Sequence, residues 1–126
     1  AGLAWLLQDI KGKETHAYNS IVHKSVPANV AWDHKTWAHE AGHNMGLGHD
    51  AAQGTKGILA NSWGNHFMSN GKGYHTIMAY PKAPYSNTAL VWAGPNVDYN
   101  GTKSGSAAAD AVGTLRQTSV PIMSYR

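Results

Sequence analysis

The sequence predicts a small α+β domain, on three observations. Two apolar segments near the N-terminus, residues 1–7 and 17–23, have the length and composition of strands. Residues 34–46 carry histidines at helical spacing, and residues 104–117 place apolar side chains on one helical face. With 126 residues the chain can build one hydrophobic core but not two. We therefore expect a single domain that covers residues 1–126.

The two N-terminal segments are expected to be neighbouring strands. Lys11-Gly12-Lys13 supplies a turn between them, and Pro27 interrupts the pattern after the second strand. The first helix should begin after Asp33, a suitable N-cap, and end near Met45, with Trp37 and Ala41 facing the core.

Residues 51–73 are rich in Gly and Asn and have no clear periodicity, which predicts a long functional or ion-stabilised loop. A calcium site there is conceivable, but no residue pattern supports one. The second helix should be capped by Ser104 or Ser106 and end at Pro121. Its predicted apolar face consists of Ala108, Val112 and Leu115.

The most specific pattern is the segment that begins at His39-Glu40 and ends at His49. In a helix, His39 and His43 lie one turn apart and can bind one metal ion through their ring nitrogens. Glu40 points to one side of this pair, where a carboxylate can accept a proton from an attacking water. Gly46 is free to adopt positive φ, so that the chain can turn and bring in His49 as a third ligand. A fourth position left open is typical of a catalytic Zn²⁺ site.

A His-Glu-x-x-His pattern alone also occurs by chance on metal-free, solvated helices. Gly46 and His49 extend it to five specified residues in eleven positions, which favours a zinc hydrolase. The remaining histidines lack ligand spacing and are expected at the surface or in ordinary hydrogen bonds: His16, His23, His34, His66 and His75.

Together with Thr76-Ile77-Met78-Ala79-Tyr80, the histidine motif resembles the metzincins, a clan of zinc endopeptidases. The resemblance is nearest to bacterial reprolysin-like enzymes of the peptidyl-Asp metalloendopeptidase type. It implies a metzincin-like (zincin) catalytic domain with an active-site helix, a Met-turn and a C-terminal helix. Met78 would lie beneath the metal as an apolar floor, although a buried methionine by itself is more often core filling.

The same resemblance assigns roles to two further residues. Asp50 follows the third histidine, as in reprolysins, where the acid braces the turn; the alternative is an ordinary Asx-turn. Tyr80 follows the methionine by two residues, as in astacins and serralysins, where the tyrosine stabilises the transition state. The alternative for Tyr80 is a packed aromatic with its hydroxyl in solvent.

Substrate-binding residues are also implied by the resemblance. Leu3, Ala4 and Trp5 correspond to an edge strand that pairs with an extended substrate, or else form an ordinary apolar strand. Residues 81–87, with Pro84 and Tyr85, are expected to line the pocket for the side chain after the scissile bond. A lysine near that pocket, Lys82 or Lys103, would favour an acidic side chain there.

The predicted function is zinc-dependent hydrolysis of peptide bonds, with a protein or peptide as substrate. The rival is a non-catalytic zinc-binding adhesion or toxin-like module, against which the intact general base Glu40 argues. A third alternative is non-specific metal capture by a histidine-rich surface.

The resemblance also predicts the layout of the domain. Residues 1–46 would supply the edge strands and zinc helix, and residues 47–126 the lower subdomain. Only 38 residues precede His39, so the upper sheet subdomain of a metzincin is expected to be truncated. Such a chain either lacks an N-terminal segment or closes its fold by self-association.

Composition narrows the setting. The chain has no cysteine, which excludes disulfides and thiolate sites and favours a bacterial source. The net charge of +3 comes from scattered basic residues, which disfavours nucleic-acid binding. No apolar stretch is long enough to cross a membrane. We expect a secreted protein whose signal and pro-segment are absent from this chain.

Overall fold

The computed structural model describes residues 2–12, 18–21 and 32–125. Helices and strands both occur in these ranges, which makes the fold α+β. In chain order the described elements are β1 (Gly2–Ala4), β2 (Asn19–Ile21), α1 (Trp32–Asn44), β3 (His66–Ser69), β4 (Lys72–His75), β5 (Asn87–Thr88), β6 (Asp98–Tyr99), β7 (Thr102–Lys103) and α2 (Ala111–Ile122).

The strands form three small sheets within the described ranges. β1 and β2 are antiparallel, with Leu3 opposite Ser20. β3 and β4 form an antiparallel hairpin, and β5 adds to β4 in parallel, with His75 opposite Thr88. β6 and β7 form a second antiparallel hairpin.

The N-terminal strands are shorter than the sequence predicts. Beyond Ala4 the chain is irregular, but it stays beside α1 because the Leu7 N–H donates to the His43 carbonyl at 3.0 Å. The predicted turn is a close one, since the Gly12 N–H donates to the Asp9 carbonyl at 2.9 Å. The predicted strand residues 17, 22 and 23, the break at Pro27, and His16 lie outside the described residues.

Helix α1 begins at Trp32, so Asp33 is its second residue and not the N-cap. The helix ends at Asn44, one residue before the predicted end. The prediction that Trp37 faces the core is wrong, because its side chain is 59% exposed. Ala38 is the α1 residue that packs against the core.

The segment 51–73 is not a continuous loop, as the sequence analysis expected. It contains β3 and the first residues of β4, joined by Asn70-Gly71 with φ angles of +50° and +73°. These angles define the type I′ turn that suits a two-residue hairpin. Asn100-Gly101 joins β6 to β7 with similar angles, +50° and +79°.

Helix α2 begins seven residues later than predicted, at Ala111. Its N-cap is Asp110, whose Oδ1 accepts the Gly113 N–H at 2.8 Å, so neither predicted serine caps it. Ser104 is buried, and its hydroxyl donates to the Trp92 carbonyl at 3.1 Å. Ser106 is also unavailable, because its backbone pairs with Ala109 in a turn.

The buried face and the end of α2 also differ from the prediction. Its fully buried residues are Ala111, Thr114 and Thr118, whereas Ala108 precedes the helix. Pro121 lies inside the last turn and does not end the helix at the preceding residue.

The hydrophobic core lies where α1 ends, between the turn at residues 76–80 and the start of α2. Its buried members are Leu47, Ile77, Met78, Ala93 and Ala111, with Ala38, Trp92 and Leu115 packed against them. The core therefore supports the segment that carries the histidine motif. Neither of the two described helices is long and apolar enough to span a bilayer.

Candidate metal centre and adjoining cleft

His39, His43 and His49 meet at one point next to the C-terminal half of α1. One ring nitrogen from each residue lies within 4.8 Å of the other two, and no other described group of three potential ligands does so. The Nε2 atoms of His43 and His49 are 3.0 Å apart. Two nitrogens bound to tetrahedral Zn²⁺ at about 2.0–2.1 Å would be roughly 3.3 Å apart. The three imidazoles therefore fit a zinc ion with little adjustment.

Backbone carbonyls orient two of the imidazoles. The Nδ1–H of His39 donates to the Ile77 carbonyl at 2.9 Å, and the Nδ1–H of His43 donates to the Leu47 carbonyl at 2.8 Å. A carbonyl can only accept, so Nδ1 carries the proton in both rings and Nε2 keeps its lone pair for a metal. Nδ1 of His49 is buried and has no hydrogen-bond partner among the described residues.

Burial keeps the ligands in the form that binds metal. It lowers the pKa of His39 to about 4, and the neighbouring His43 and His49 act in the same direction. Burial also lowers the pKa of His49, assisted by His43 and opposed by Asp50. Both rings are therefore neutral at pH 7, with nitrogen lone pairs free for coordination.

Gly46 and Leu47 close the end of α1 and turn the chain toward His49. Gly46 has the positive φ that the sequence predicts, +89°. Its N–H donates to the His43 carbonyl, and the Leu47 N–H donates to the Gly42 carbonyl, both at 2.9 Å. These two bonds form a Schellman motif. Leu47 is fully buried and anchors the turn, so that the third histidine returns beside the first two.

Met78 lies in a turn directly beneath the helix. The Ala79 N–H donates to the Thr76 carbonyl at 3.1 Å, and the Met78 side chain is fully buried. A Cβ on Gly42 would come within 2.5 Å of the Met78 sulfur. Gly42 therefore lets the turn pack against α1 between two ligands. Gly42 was not among the predicted site residues, although an interior helical glycine is unfavourable by about 1 kcal/mol and signals a packing constraint.

Glu40 points away from the core and toward β1. Its side chain is only 6% exposed, and burial raises the pKa of its carboxyl while the nearby His43 opposes the rise. Any side chain on Gly2 would overlap the Glu40 carboxylate. Gly2 therefore brings the strand backbone against the Glu40 carboxylate, a contact that no local sequence pattern indicates.

Tyr80 lies over two of the imidazoles. Its ring centroid is 4.6 Å from that of His49 and 5.6 Å from that of His39. The Nε2–H of His66 donates to the Tyr80 carbonyl at 2.8 Å and holds this backbone in place. His66 is therefore a hydrogen-bonded support of the site, which its sequence position alone did not reveal.

Asp50 supports the turn that follows His49. It is 5% exposed, and its Oδ1 accepts from the N–H groups of Ala52 at 3.0 Å and Gln53 at 3.3 Å. This is an Asx-turn, so the two sequence-based alternatives for Asp50 describe one arrangement.

A cavity of about 830 Å³ adjoins His39 and Glu40. One wall belongs to α1 and the opposite wall to residues 80–90, including Pro81 and Ser86 from the predicted pocket segment. The expected contacts of Pro84 and Tyr85 are not found: Pro84 is exposed, and Tyr85 does not line the cavity.

The predicted edge-strand residues also lie away from this cavity. Leu3, Ala4 and Trp5 line a separate cleft of about 350 Å³ between β1 and β2, and of β1 only Gly2 reaches the larger cavity. The side chains of Leu3 and Trp5 are mostly exposed. Successive side chains along a strand point to opposite faces of its sheet, so Leu3, Ala4 and Trp5 do not all lie on the side nearest Glu40.

Neither predicted lysine lines the cavity. Lys82 is exposed, and Lys103 forms an exposed ion pair with Asp98 at 3.0 Å. Lys35 on α1 lines it instead.

Comparison with known proteins adds the family context. The family model described as metallo-peptidase family M12 (Reprolysin_5) matches residues 1–91. A peptidyl-Asp metalloendopeptidase from Xanthomonas campestris pathovar campestris is 35% identical over 104 residues, which cover 79% of this chain. The match spans about a quarter of that relative, 24% of its length. No solved structure matches the chain.

Proposed function

The chain belongs to metallopeptidase family M12, and we propose that it is a zinc-dependent endopeptidase of the metzincin type with Glu40 as its general base. One observation carries this proposal. Three imidazoles, those of His39, His43 and His49, present ring nitrogens within 4.8 Å of one another beside the buried Glu40 carboxylate. A closed structural zinc site would need a fourth protein ligand and would have no use for a base.

His39, His43 and His49 would hold a Zn²⁺ ion, and that ion would supply Lewis-acid chemistry at the scissile carbonyl and at the attacking water. Glu40 accepts the proton of that water and passes it to the leaving amine. Burial raises the pKa of the Glu40 carboxyl, which makes the carboxylate a better proton acceptor for the first step.

Tyr80 is proposed to donate its hydroxyl proton in a hydrogen bond to the carbonyl oxygen as negative charge develops there. Its ring packs within 5.6 Å of two ligand rings, and 42% of the side chain remains exposed toward the cleft. Met78, Gly46 and Asp50 shape the site without contacting the substrate.

The substrate is proposed to lie extended beside β1, whose pairing in the described ranges involves only β2. Leu3, Ala4 and Trp5 would then contact substrate residues away from the reacting bond. The side chain directly after the scissile bond would enter the 830 Å³ cavity. The name of the Xanthomonas relative indicates peptide bonds next to aspartate as its substrate. We propose the same substrate class for this chain.

Glu40→Gln tests the assignment of the base. The variant should bind one equivalent of zinc as the parent does, while kcat/KM on a denatured protein or peptide substrate falls by about 10²- to 10⁴-fold. Asp98→Asn, which neutralises an exposed carboxylate on β6, is the control and should cleave like the parent. Equal rates for the Glu40 variant and the parent would show that Glu40 is not the base.

His49→Ala tests the three-histidine site against non-specific capture. Removing one of three ligands should weaken zinc binding at least 100-fold, measured by competition with a chelator of known affinity. Zinc binding that survives the substitution would favour capture by scattered histidines. A parent protein that holds zinc and cleaves no member of a peptide library would favour the non-catalytic module.

A further inference from the structure

Lys35 is a cation inside the cleft for which the described residues provide no anionic partner. It lies on α1 one turn before His39 and lines the same cavity as His39 and Glu40. Its side chain is partly buried, and among the described residues no carboxylate pairs with it. Burial lowers the pKa of Lys35. A desolvated ammonium without a counter-charge is costly, which indicates a site built for an anionic ligand.

His75 holds the Lys35 ammonium in place. The His75 ring is 2% exposed, and its Nδ1–H donates to the Tyr85 carbonyl at 3.0 Å. The lone pair on Nε2 therefore accepts a hydrogen bond from the Lys35 ammonium, whose Nζ is 2.8 Å away, and the Thr88 hydroxyl lies 3.2 Å from the same nitrogen. One of the three ammonium N–H bonds is used in this way, which leaves two for an acceptor in the cavity.

The distance of Lys35 from the metal centre suits contact with a substrate side chain next to the scissile bond. Residues at i and i+4 lie on the same helical face, about 6 Å apart along the axis. Lys35 therefore lies about one helical turn from His39, toward the N-terminus of α1, on the wall of the cavity opposite Pro81 and Ser86. A side chain next to the scissile bond would have to extend into this space.

We propose that Lys35, positioned by His75, selects a substrate whose residue directly after the scissile bond carries a carboxylate. This inference rests on the proposed endopeptidase function. The substrate carboxylate accepts hydrogen bonds from the two remaining ammonium N–H groups and supplies the missing counter-charge. His75 is a positioning residue, since it contacts Lys35 and not the substrate.

The test compares two peptides that differ only by Asp or Asn after the cleaved bond. The parent should prefer the Asp peptide at least 10-fold in kcat/KM. Loss of one partner of a buried charge pair typically costs enough to reduce binding by 10²-fold or more, so Lys35→Met should bring the Asp-to-Asn ratio close to 1. Lys82→Met removes an exposed lysine that does not line the cavity and should keep the parent ratio.

Two variants of His75 separate positioning from general structural support. His75→Leu removes the acceptor and should lower the Asp-to-Asn ratio, whereas His75→Gln keeps an acceptor and should retain part of the preference. A purely structural role would reduce cleavage of both peptides by the same factor and leave the ratio unchanged.

The remaining outcomes are distinguishable. If the zinc-loaded parent cleaves neither peptide nor any library member, the proposed function fails. If the parent cleaves peptides without preferring Asp, or if Lys35→Met keeps the preference, the endopeptidase stands and the role of Lys35 is refuted. Should Lys35→Met fail to fold by circular dichroism, Lys35→Gln provides the same loss of charge with a polar head group.

Discussion

At Gly46 the chain leaves helix α1 under two constraints at once. Its φ of +89° belongs to the left-handed region, and a Cβ there would come within 2.6 Å of the Ile58 side chain. The first constraint is conformational and the second is steric. Both act immediately before Leu47, which anchors the segment that carries His49.

Gly46→Ala should therefore destabilise the metal-free protein by more than the free-energy cost of a positive φ alone. Gly54→Ala is the matched control, because Gly54 has φ +73° and no neighbour within 4 Å of the added Cβ. We expect about 1 kcal/mol for the control and a larger loss for Gly46→Ala, measured by denaturant unfolding. Zinc affinity should fall only in the Gly46 variant. Equal losses in both variants would contradict the steric part of the argument.

Individual residues also show which parts of the site could be predicted from the sequence. The ligand spacing, Glu40, Gly46 and Met78 were predictable because helical geometry and a nearby turn relate them locally. Lys35 was not, although it belongs to the same helix. Its role depends on His75, 40 positions away, and a contact at that separation has no local signature.

At the level of elements, α2 braces the end of α1 through a face of small polar residues. The Thr118 hydroxyl donates to the Met45 carbonyl at 2.9 Å, just beyond the last residue of α1. The hydroxyl groups of Thr114 and Ser62 are 2.6 Å apart, and both residues are fully buried. Small hydroxyl side chains let α2 approach closely while satisfying buried polar groups.

Thr118→Val tests this brace with little change in shape. The Met45 carbonyl would lose a buried donor, which should cost about 1–3 kcal/mol of unfolding free energy. Gln117→Ala changes the neighbouring exposed residue and should stay within about 0.5 kcal/mol of the parent. Both values come from urea unfolding of the metal-free protein. No loss in Thr118→Val would mean that the Met45 carbonyl finds another donor.

The elements also show which sequence signals were missed. Asn70-Gly71 and Asn100-Gly101 are strong type I′ hairpin signals, and both connect strands that were not predicted. The start of α2 was ambiguous, because Asp110 is a favoured N-cap residue but Ser104 and Ser106 are also favoured at that position. Asp110 became its cap because its N–H donates to the Asn61 carbonyl at 2.8 Å, a tertiary contact that a local pattern cannot reveal.

For the whole molecule, the buried histidines link stability to pH. Burial lowers the pKa values of His39, His49 and His75, so the folded chain holds them neutral while the unfolded chain protonates them near pH 6.5. Their contribution to stability is therefore complete above pH 6.5 and declines as the pH falls below it. For His39 the decline continues to about pH 4.

The metal-free protein should accordingly lose stability between pH 7 and pH 5. With a folded pKa of about 4, His39 alone should account for a loss of about 2 kcal/mol at pH 5. Urea unfolding at the two pH values measures the loss, and His39→Gln should reduce it by about that amount. Equal unfolding free energies at pH 7 and pH 5 in the parent would contradict the burial argument.

The fold class of the whole molecule followed from local patterns, and the family match agrees with the motif that led to the metzincins. Several larger-scale expectations stay predictions: the division at residues 46 and 47, a missing N-terminal segment or self-association, and secretion. The packing of the two parts of the domain, the choice of partners and export are not encoded in the spacing of His39 and Glu40.

The Schellman turn at Gly46 couples metal binding to local opening of the C-terminal end of α1. His43 precedes the turn and His49 follows it six positions later, so a shared ion would bridge the two sides of the turn. Opening the turn would then require releasing the ion. Amide hydrogen exchange at Gly46 and Leu47 should slow when zinc is added, in proportion to the free zinc concentration divided by its dissociation constant.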